Sequence, residues 1–219
     1  MKFRRTKFLV VVLATTLWGV VGSPAKLLAD GVIRDGLGAI SGGRGGTNIA
    51  NSDNGQVLLD NPAGMINVAG GGLFEFSADV LLTDLEYSDP QNNDVQAALQ
   101  PFPLPQLSII RKSDDGLWAF GFGLYAPAGF GAQFNLEGPP PALTGPQRYK
   151  SIGGLGKVLP GVACKLTDRL SVGGTLGVAV SHVELEGPFF LQTGPLANTP
   201  TIMDLQGTGA DIAWSLGAQ

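Results

Sequence analysis

The sequence predicts an all-β fold: a transmembrane antiparallel β-barrel, of which about six strands are present, preceded by an N-terminal segment that plugs it. Three observations carry this expectation. Segments of about ten residues alternate apolar with small or polar side chains, the period of two that a strand with two unlike faces requires. The connections between them are alternately long and short, as in a barrel with tight turns on one side of a membrane and broad loops on the other. Only 15% of residues are charged and 33 of 219 are glycine, against about 25% and about 7% in ordinary soluble chains.

The first 29 residues read as a secretory signal peptide. A basic start (Lys2, Arg4, Arg5, Lys7) precedes an apolar run over residues 8–21, and small residues follow, with cleavage expected after Ala25 or Ala29. An uncleaved anchor is the alternative, but the run is short for a membrane span. Without this leader, nine basic and eighteen acidic residues remain, a net charge near −9, which argues against a nucleic-acid partner. The single cysteine, Cys164, has no partner for an internal disulfide. After the leader no apolar run has the length of a membrane helix, so a membrane-spanning reading requires a barrel, the other structure that satisfies its backbone in lipid. Export and this wall together imply a Gram-negative type outer membrane, with outer-membrane lipid around a monomeric barrel.

The strands follow in order from residue 72. Residues 74–83 put Phe74, Phe76, Ala78, Val80 and Leu82 on one face and Glu75, Ser77, Asp79 and Thr83 on the other. A less regular run over 104–111 reaches the turn signal at 113–116. Residues 118–125 then set Trp118, Phe120, Phe122 and Leu124 against Ala119, Gly121, Gly123 and Tyr125. A fourth run covers 151–166. The fifth is the cleanest, with Leu170, Val172, Leu176, Val178 and Val180 opposite Ser171, Gly173, Thr175, Gly177 and Ala179. A sixth begins near Leu205 and aligns Ile212, Trp214 and Leu216. The long connections are expected at 85–103, 127–147 and 187–203, and the short ones at 113–116 and 167–169. Trp118 beside a short turn and Tyr87, Tyr125 and Tyr149 near long loops fit aromatic girdles at the membrane interfaces. A soluble β-sandwich also gives alternating strands, although its turns need not alternate in length.

Chemistry-bearing motifs are missing where chemistry would need them. The glycine-rich stretch 42–55 lacks the spacing of a dinucleotide loop, and at 151–158 the first glycine and the hydroxyl residue of a phosphate loop are replaced by Ser151 and Val158. A calcium loop with Gly55 as its sixth residue would need an acid at Ala50. His182, beside Glu184, is the only histidine and would have to serve any histidine-based triad; a place at the membrane interface explains it better. No cofactor, no metal and no enzymatic activity are expected.

The segment before the first strand is polar and glycine-rich, yet Val57-Leu58-Leu59 and Met65-Ile66 need something to bury them. Asn61-Pro62 disfavours helix at Asn61, and the glycines permit tight turns, so a compact plug of turns and short helices is expected over 30–71, with the wall over 72–219. A flexible leader is the alternative.

The order of "GLGAISGGRGGTNIANSDNGQVLLDNPAGM", "GLWAFGFGLYAPAGFGAQFN" and "LSVGGTLGVAVSHVELEG" resembles the FadL family of outer-membrane transporters for long-chain fatty acids and aromatic hydrocarbons. The resemblance implies a hatch carrying Asn61, Pro62 and Ala63 inside a barrel of about fourteen strands, and hence that the chain is the N-terminal part of a longer protein. It implies passive transport of a hydrophobic small molecule, most simply a long-chain fatty acid, with movement of the hatch releasing it. It further implies an inward kink and a lateral opening in the third strand, at Pro127, Gly129 and Gly131; Pro127 as the start of an outer loop is the alternative. An outer ligand-binding groove is implied at Phe189, Phe190, Leu191, Leu196 and Ile202, which are too apolar for an ordinary loop; the alternatives are that they cover the barrel mouth or contact lipid. A structural or adhesive barrel is the competing function, and an outer-membrane hydrolase ranks last.

Overall fold

A computed structural model describes residues 33–98, 101–138, 143 and 145–219. The predicted signal peptide lies outside the described residues. Six strands form one antiparallel sheet in the order β1 (Gly72–Leu81), β4 (Phe102–Lys112), β5 (Trp118–Glu137), β6 (Pro146–Thr167), β7 (Leu170–Phe190) and β8 (Pro200–Ala218), each beside its neighbour in the chain. The first long connection carries a small hairpin, β2 (Glu86–Tyr87) and β3 (Val95–Gln96). Ahead of the sheet lie α1 (Gly38–Gly43), α2 (Val57–Asp60) and a 3-10 helix, Pro62–Asn67. Among the described residues no helix is long and apolar enough to cross a membrane, which leaves a strand-built wall untouched.

The two sheet faces have opposite character. On one, Phe74, Leu176, Ile212, Trp214 and Leu216 are all at least 66% exposed, an arrangement that water penalises and lipid does not. Along β7 the apolar face runs from Leu170 to Val180 and then changes to His182, Glu184 and Glu186. Ten steps of about 3.4 Å at a tilt near 45° give about 24 Å, the height of the apolar band on a barrel. The upper parts of β5 to β8 therefore stand above that band. There the Lys150–Glu184 ion pair, Arg148–Glu186 at 3.6 Å and His182 hydrogen-bonded to Thr208 at 2.9 Å occupy the face that is apolar lower down.

The buried core lies on the other face, between sheet and plug. It joins Leu37, Val57, Leu58, Met65, Ile66 and Val68 of the N-terminal segment to Ile110, Ala119, Tyr125, Leu159 and Ala163 of the wall. The plug also shows that the sheet curls. Gly55 N–H donates to Glu75 of β1 at 2.5 Å, while Asn61 Nδ2, six residues on, donates to the Ala218 carbonyl of β8 at 3.2 Å. Five strand spacings of about 4.8 Å would hold β1 and β8 about 24 Å apart in a flat sheet, beyond the reach of those residues through a helical turn.

Three expectations are revised. Strand β5 continues through Pro127 to Glu137 instead of ending in a loop there, because the peptide without an N–H falls at a bulge where no ladder bond is lost. Strands β6, β7 and β8 extend to Pro146, Phe190 and Pro200, so the outer connections are shorter than expected. Tyr125 is no girdle residue: it is 3% exposed and faces the plug.

Candidate functional site

Two features of the plug and wall meet at Tyr125: the seat of the hatch and a gap in the sheet. The seat is built from close approach. Leu58, fully buried on α2, lies over β5 and β6 where Gly121 and Gly161 leave room; a Cβ on either would come within 2.6 and 2.8 Å of its Cδ2. Asn61 is extended (φ −152°, ψ 88°) and breaks the chain between α2 and the 3-10 helix, as a residue before proline favours. Its amide donates to the Ile49 carbonyl at 3.0 Å as well as to β8. Ser171 Oγ of β7 donates to the Ala63 carbonyl at 3.1 Å, and Lys112 Nζ of β4 to the Val68 carbonyl at 2.7 Å. The Asn-Pro-Ala stretch is thus a buried anchor at the end of the barrel that bears the short turns. Tyr125 adds a hydroxyl donating to the Gly55 carbonyl at 2.6 Å and lying 3.3 Å from Ser108 Oγ.

One carboxyl in this seat is poorly served. Asp60 Oδ2 is buried without a hydrogen-bond partner, and burial raises the pKa of its acid above the usual value, against the lowering effect of hydrogen bonds from Gln56 and Asn48. A raised folded-state value means that Asp60 favours the seated hatch when protonated, and that this contribution fades as the pH rises through the raised value. Hydrogen exchange across residues 55–68 is expected to quicken over that window in the parent, and Asp60→Asn is expected to flatten the pH dependence.

The gap lies between β4 and β5. From Lys112↔Ala119 to Gln106↔Tyr125 the two strands pair; above Tyr125 they part, while β4 stays paired with β1 up to Phe102. At the same level the β5–β6 register shifts between Tyr125 and Ala128. Phe102 and Leu104 share the lumen face of β4 with Gln106 and Ser108, yet Phe102 packs on Gly131, and a Cβ on Gly129 would lie 2.8 Å from Leu104 Cδ2. Strand β5 therefore passes on the lumen side of β4 here. Glycine at both positions is what lets the β4 side chains cross its face.

The unpaired edge of β5 is closed by segments that are not wall strands. Ile33 bridges Ala128, Arg34 N–H donates to the Pro127 carbonyl at 3.1 Å, and Arg34 Nη2 donates to the Ala126 carbonyl at 3.1 Å. Arg34 Nη1 also meets Asp79 of β1 at 2.5 Å, so one residue ties the β5 edge to the strand that pairs with β4 across the gap. Higher up, Thr83 Oγ1 donates to the Gly131 carbonyl, Ala98 N–H to the Gln133 carbonyl, and the Asn92 side chain pairs with both backbone groups of Glu137. Outside the gap is an apolar hollow of about 420 Å³ lined by Phe76, Leu107, Leu124, Val158 and Val180.

Of the expected site residues, the structure gathers Pro127, Gly129 and Gly131 at the inward bend, and Asn61, Pro62 and Ala63 at the anchor. It divides the others. Phe189 and Phe190 lie at the end of β7 and Ile202 on β8, and alternation puts Phe189 on the opposite face from Phe190 and Ile202; only Leu191 and Leu196 belong to the connection. Ile33, Arg34 and Asp79 were missed as a closing device. Asp79 on the polar face of an otherwise ordinary strand was the signal available.

No family model and no curated protein matches the chain. Solved structures do match its fold. The P. putida toluene transporter TodX is 26% identical with a TM-score of 0.62, over 71% of this chain and 38% of that one. The Ralstonia pickettii toluene transporter TbuX is 21% identical with a TM-score of 0.56, over 84% and 52%. A Pseudomonas aeruginosa FadL homologue is 14% identical with a TM-score of 0.52, over 78% and 45%. The chain thus spans about half or less of each of these structures.

Proposed function

The chain has the fold of the FadL family of outer-membrane transporters, and from that premise we propose that it serves as part of a passive conduit for hydrophobic small molecules, which leave the lumen sideways into an outer membrane. The observation that carries this reading is the gap between β4 and β5 above Tyr125, closed by Ile33 and Arg34 and opening onto an apolar hollow. An adhesive barrel has no use for a parted wall. Cargo in the lumen reaches lipid through the gap once the closing segment withdraws, and each methylene transferred from water gains about 0.8 kcal/mol, so no energy source is needed. Long-chain fatty acids and monoaromatic hydrocarbons are the two cargo classes to compare.

The closure has the strength a gate requires. Two backbone-carbonyl hydrogen bonds at about 1 kcal/mol each, and an ion pair left partly in solvent worth at most about 1 kcal/mol, hold it. A gap of 2 to 3 kcal/mol leaves the open state populated at roughly 1% without a ligand. The bridge pair Ile33 and Ala128 offers the test, since directly opposed antiparallel residues have Cα atoms about 4.5 to 5.5 Å apart, within disulfide range. In full-length protein with Cys164→Ser, the pair Ile33→Cys and Ala128→Cys is expected to abolish uptake of labelled toluene and oleate when oxidised and to restore it on reduction. Unchanged uptake through fully cross-linked protein would remove the lateral route.

A further inference from the structure

The outer part of the wall carries a second pocket that the gate does not use. Strand β5 above the bulge and strand β6 place Phe134 directly opposite Tyr149, and the β2–β3 hairpin folds Tyr87 over them, its ring 6.2 Å from that of Phe134 and inclined at 58°. With Leu136, these rings enclose about 400 Å³ between the hairpin and the wall, a volume within the range of small-ligand sites. An offset, tilted ring pair with a third ring beside it presents both ring faces and ring edges, the surfaces against which another aromatic ring packs best.

The polar groups at this pocket are all acidic or neutral. Asp89 is locked in place, with Oδ1 accepting from the Gln91 and Asn92 backbone N–H groups and the Asn92 amide, and Oδ2 from the Tyr87 hydroxyl. Glu137, exposed at the end of β5, borders the pocket through its backbone, which the Asn92 side chain holds, and alternation from Leu136 turns its side chain to the opposite face. The connection over 83–98 adds Asp84, Glu86 and Asp94 and contains no lysine or arginine, and residues 138–147 carry no charge. The nearest cations along the chain, Arg148 and Lys150, flank Tyr149 and so point from the opposite face of β6, where Glu186 and Glu184 hold them. A ligand carboxylate entering here meets the Asp89 carboxylate and, among the described residues, no compensating cation.

We propose that Tyr87, Phe134 and Tyr149 form an aromatic-ring subsite at the outer end of the wall, which takes an uncharged aromatic compound and rejects its carboxylate analogue. The proposal deepens the transport reading by naming the cargo class that this mouth admits, and it rests on that reading only for the direction of travel. It weighs against the long-chain fatty acid that the family resemblance implies, whose head group at neutral pH is the anion this collar repels.

Binding is measured apart from transport, with full-length protein in lipid nanodiscs, 4-fluorotoluene and 4-fluorobenzoate as probes, fluorine NMR as the readout and protein-free discs as the blank. The parent is expected to bind fluorotoluene at least tenfold more tightly than fluorobenzoate. Phe134→Leu with Tyr149→Leu, which keeps apolar bulk but removes the rings, is expected to weaken fluorotoluene about five- to tenfold. Equal affinity for the two probes in the parent, or fluorotoluene binding indifferent to loss of the two rings, overturns the subsite. Such a failure beside a working disulfide lock would leave the transport reading standing; ring-dependent binding beside uptake that ignores the lock would do the reverse.

Discussion

Leu58→Ala is expected to cost the seated hatch about 3 kcal/mol, within the 2 to 5 kcal/mol that truncation of a buried leucine brings. Leu58 has no exposed surface, and its Cδ2 fills the space over both Gly121 and Gly161, between Met65 on one side and Thr175 on the other. Relaxation is limited, because the wall on the far side is a hydrogen-bonded ladder that cannot collapse inward by a methyl's width without breaking register. Protection of the amides in 55–68 from hydrogen exchange should fall by about two orders of magnitude, tenfold for each 1.4 kcal/mol. The wall amides of β6 and β7 should be unaffected. Leu176→Ala supplies the control: Leu176 lies on the outward face, 66% exposed, and its loss should leave the hatch amides unchanged. Equal exchange in the two variants would mean that the plug is held by its polar anchors, Asn61 and Tyr125, and not by packing.

The wall is legible where one face is apolar and exposed and the other meets the plug. In β1 and β7 large apolar residues alternate with small or polar ones over most of the height of the apolar band, Gly174, Leu73 and Leu81 being the exceptions, and the faces the alternation predicts are the ones found. It stopped being legible above the band. The outward positions of β6 and β7 there are Arg148, Lys150, His182, Glu184 and Glu186, so the contrast between faces that marks a strand in lipid disappears and the residues read as loop. Strand β5 reads as ending at Pro127 for a related reason: Pro127, Gly129 and Gly131 carry turn chemistry, and the β4 side chains lying across Gly129 and Gly131 explain the glycines' presence in a strand.

The site was less legible than the fold because its essential contacts join distant segments through backbone groups. The closure uses the N–H of Arg34 and the carbonyls of Ala126 and Pro127, and backbone donors leave no trace in residue type. Asp79 was placed on the polar face, but nothing in the order of residues says that its partner lies 45 positions earlier. In the sequence Tyr87 and Tyr149 stand only as aromatics near loops, and their meeting around Phe134 depends on the β2–β3 hairpin, two short strands with no apolar alternation of their own.

Tyr125→Phe is expected to weaken both the seat and the gate, and it tests whether the two are one device. Tyr125 is the last residue of β5 paired with β4, opposite Gln106, and the last paired with β6 before the bulge, opposite Lys157. Its hydroxyl holds the Gly55 carbonyl, and the N–H of the same residue is held by Glu75, which also accepts from Gln106 Nε2 at 3.0 Å. Removing the oxygen leaves the buried Gly55 carbonyl with only the long Leu58 N–H contact at 3.4 Å, a loss of about 1.5 kcal/mol, while the ring and its packing remain. Hydrogen exchange at residues 55–58 should then quicken about tenfold or more. If plug and gate are coupled through this residue, the Ile33→Cys and Ala128→Cys pair should also form its disulfide more slowly in the Tyr125→Phe background, because the β5 bend is no longer fixed against the plug. A faster-exchanging plug with an unchanged rate of disulfide formation would separate the two. The hatch would then be a stationary stopper, and cargo would pass by movement of the segment around Arg34 alone.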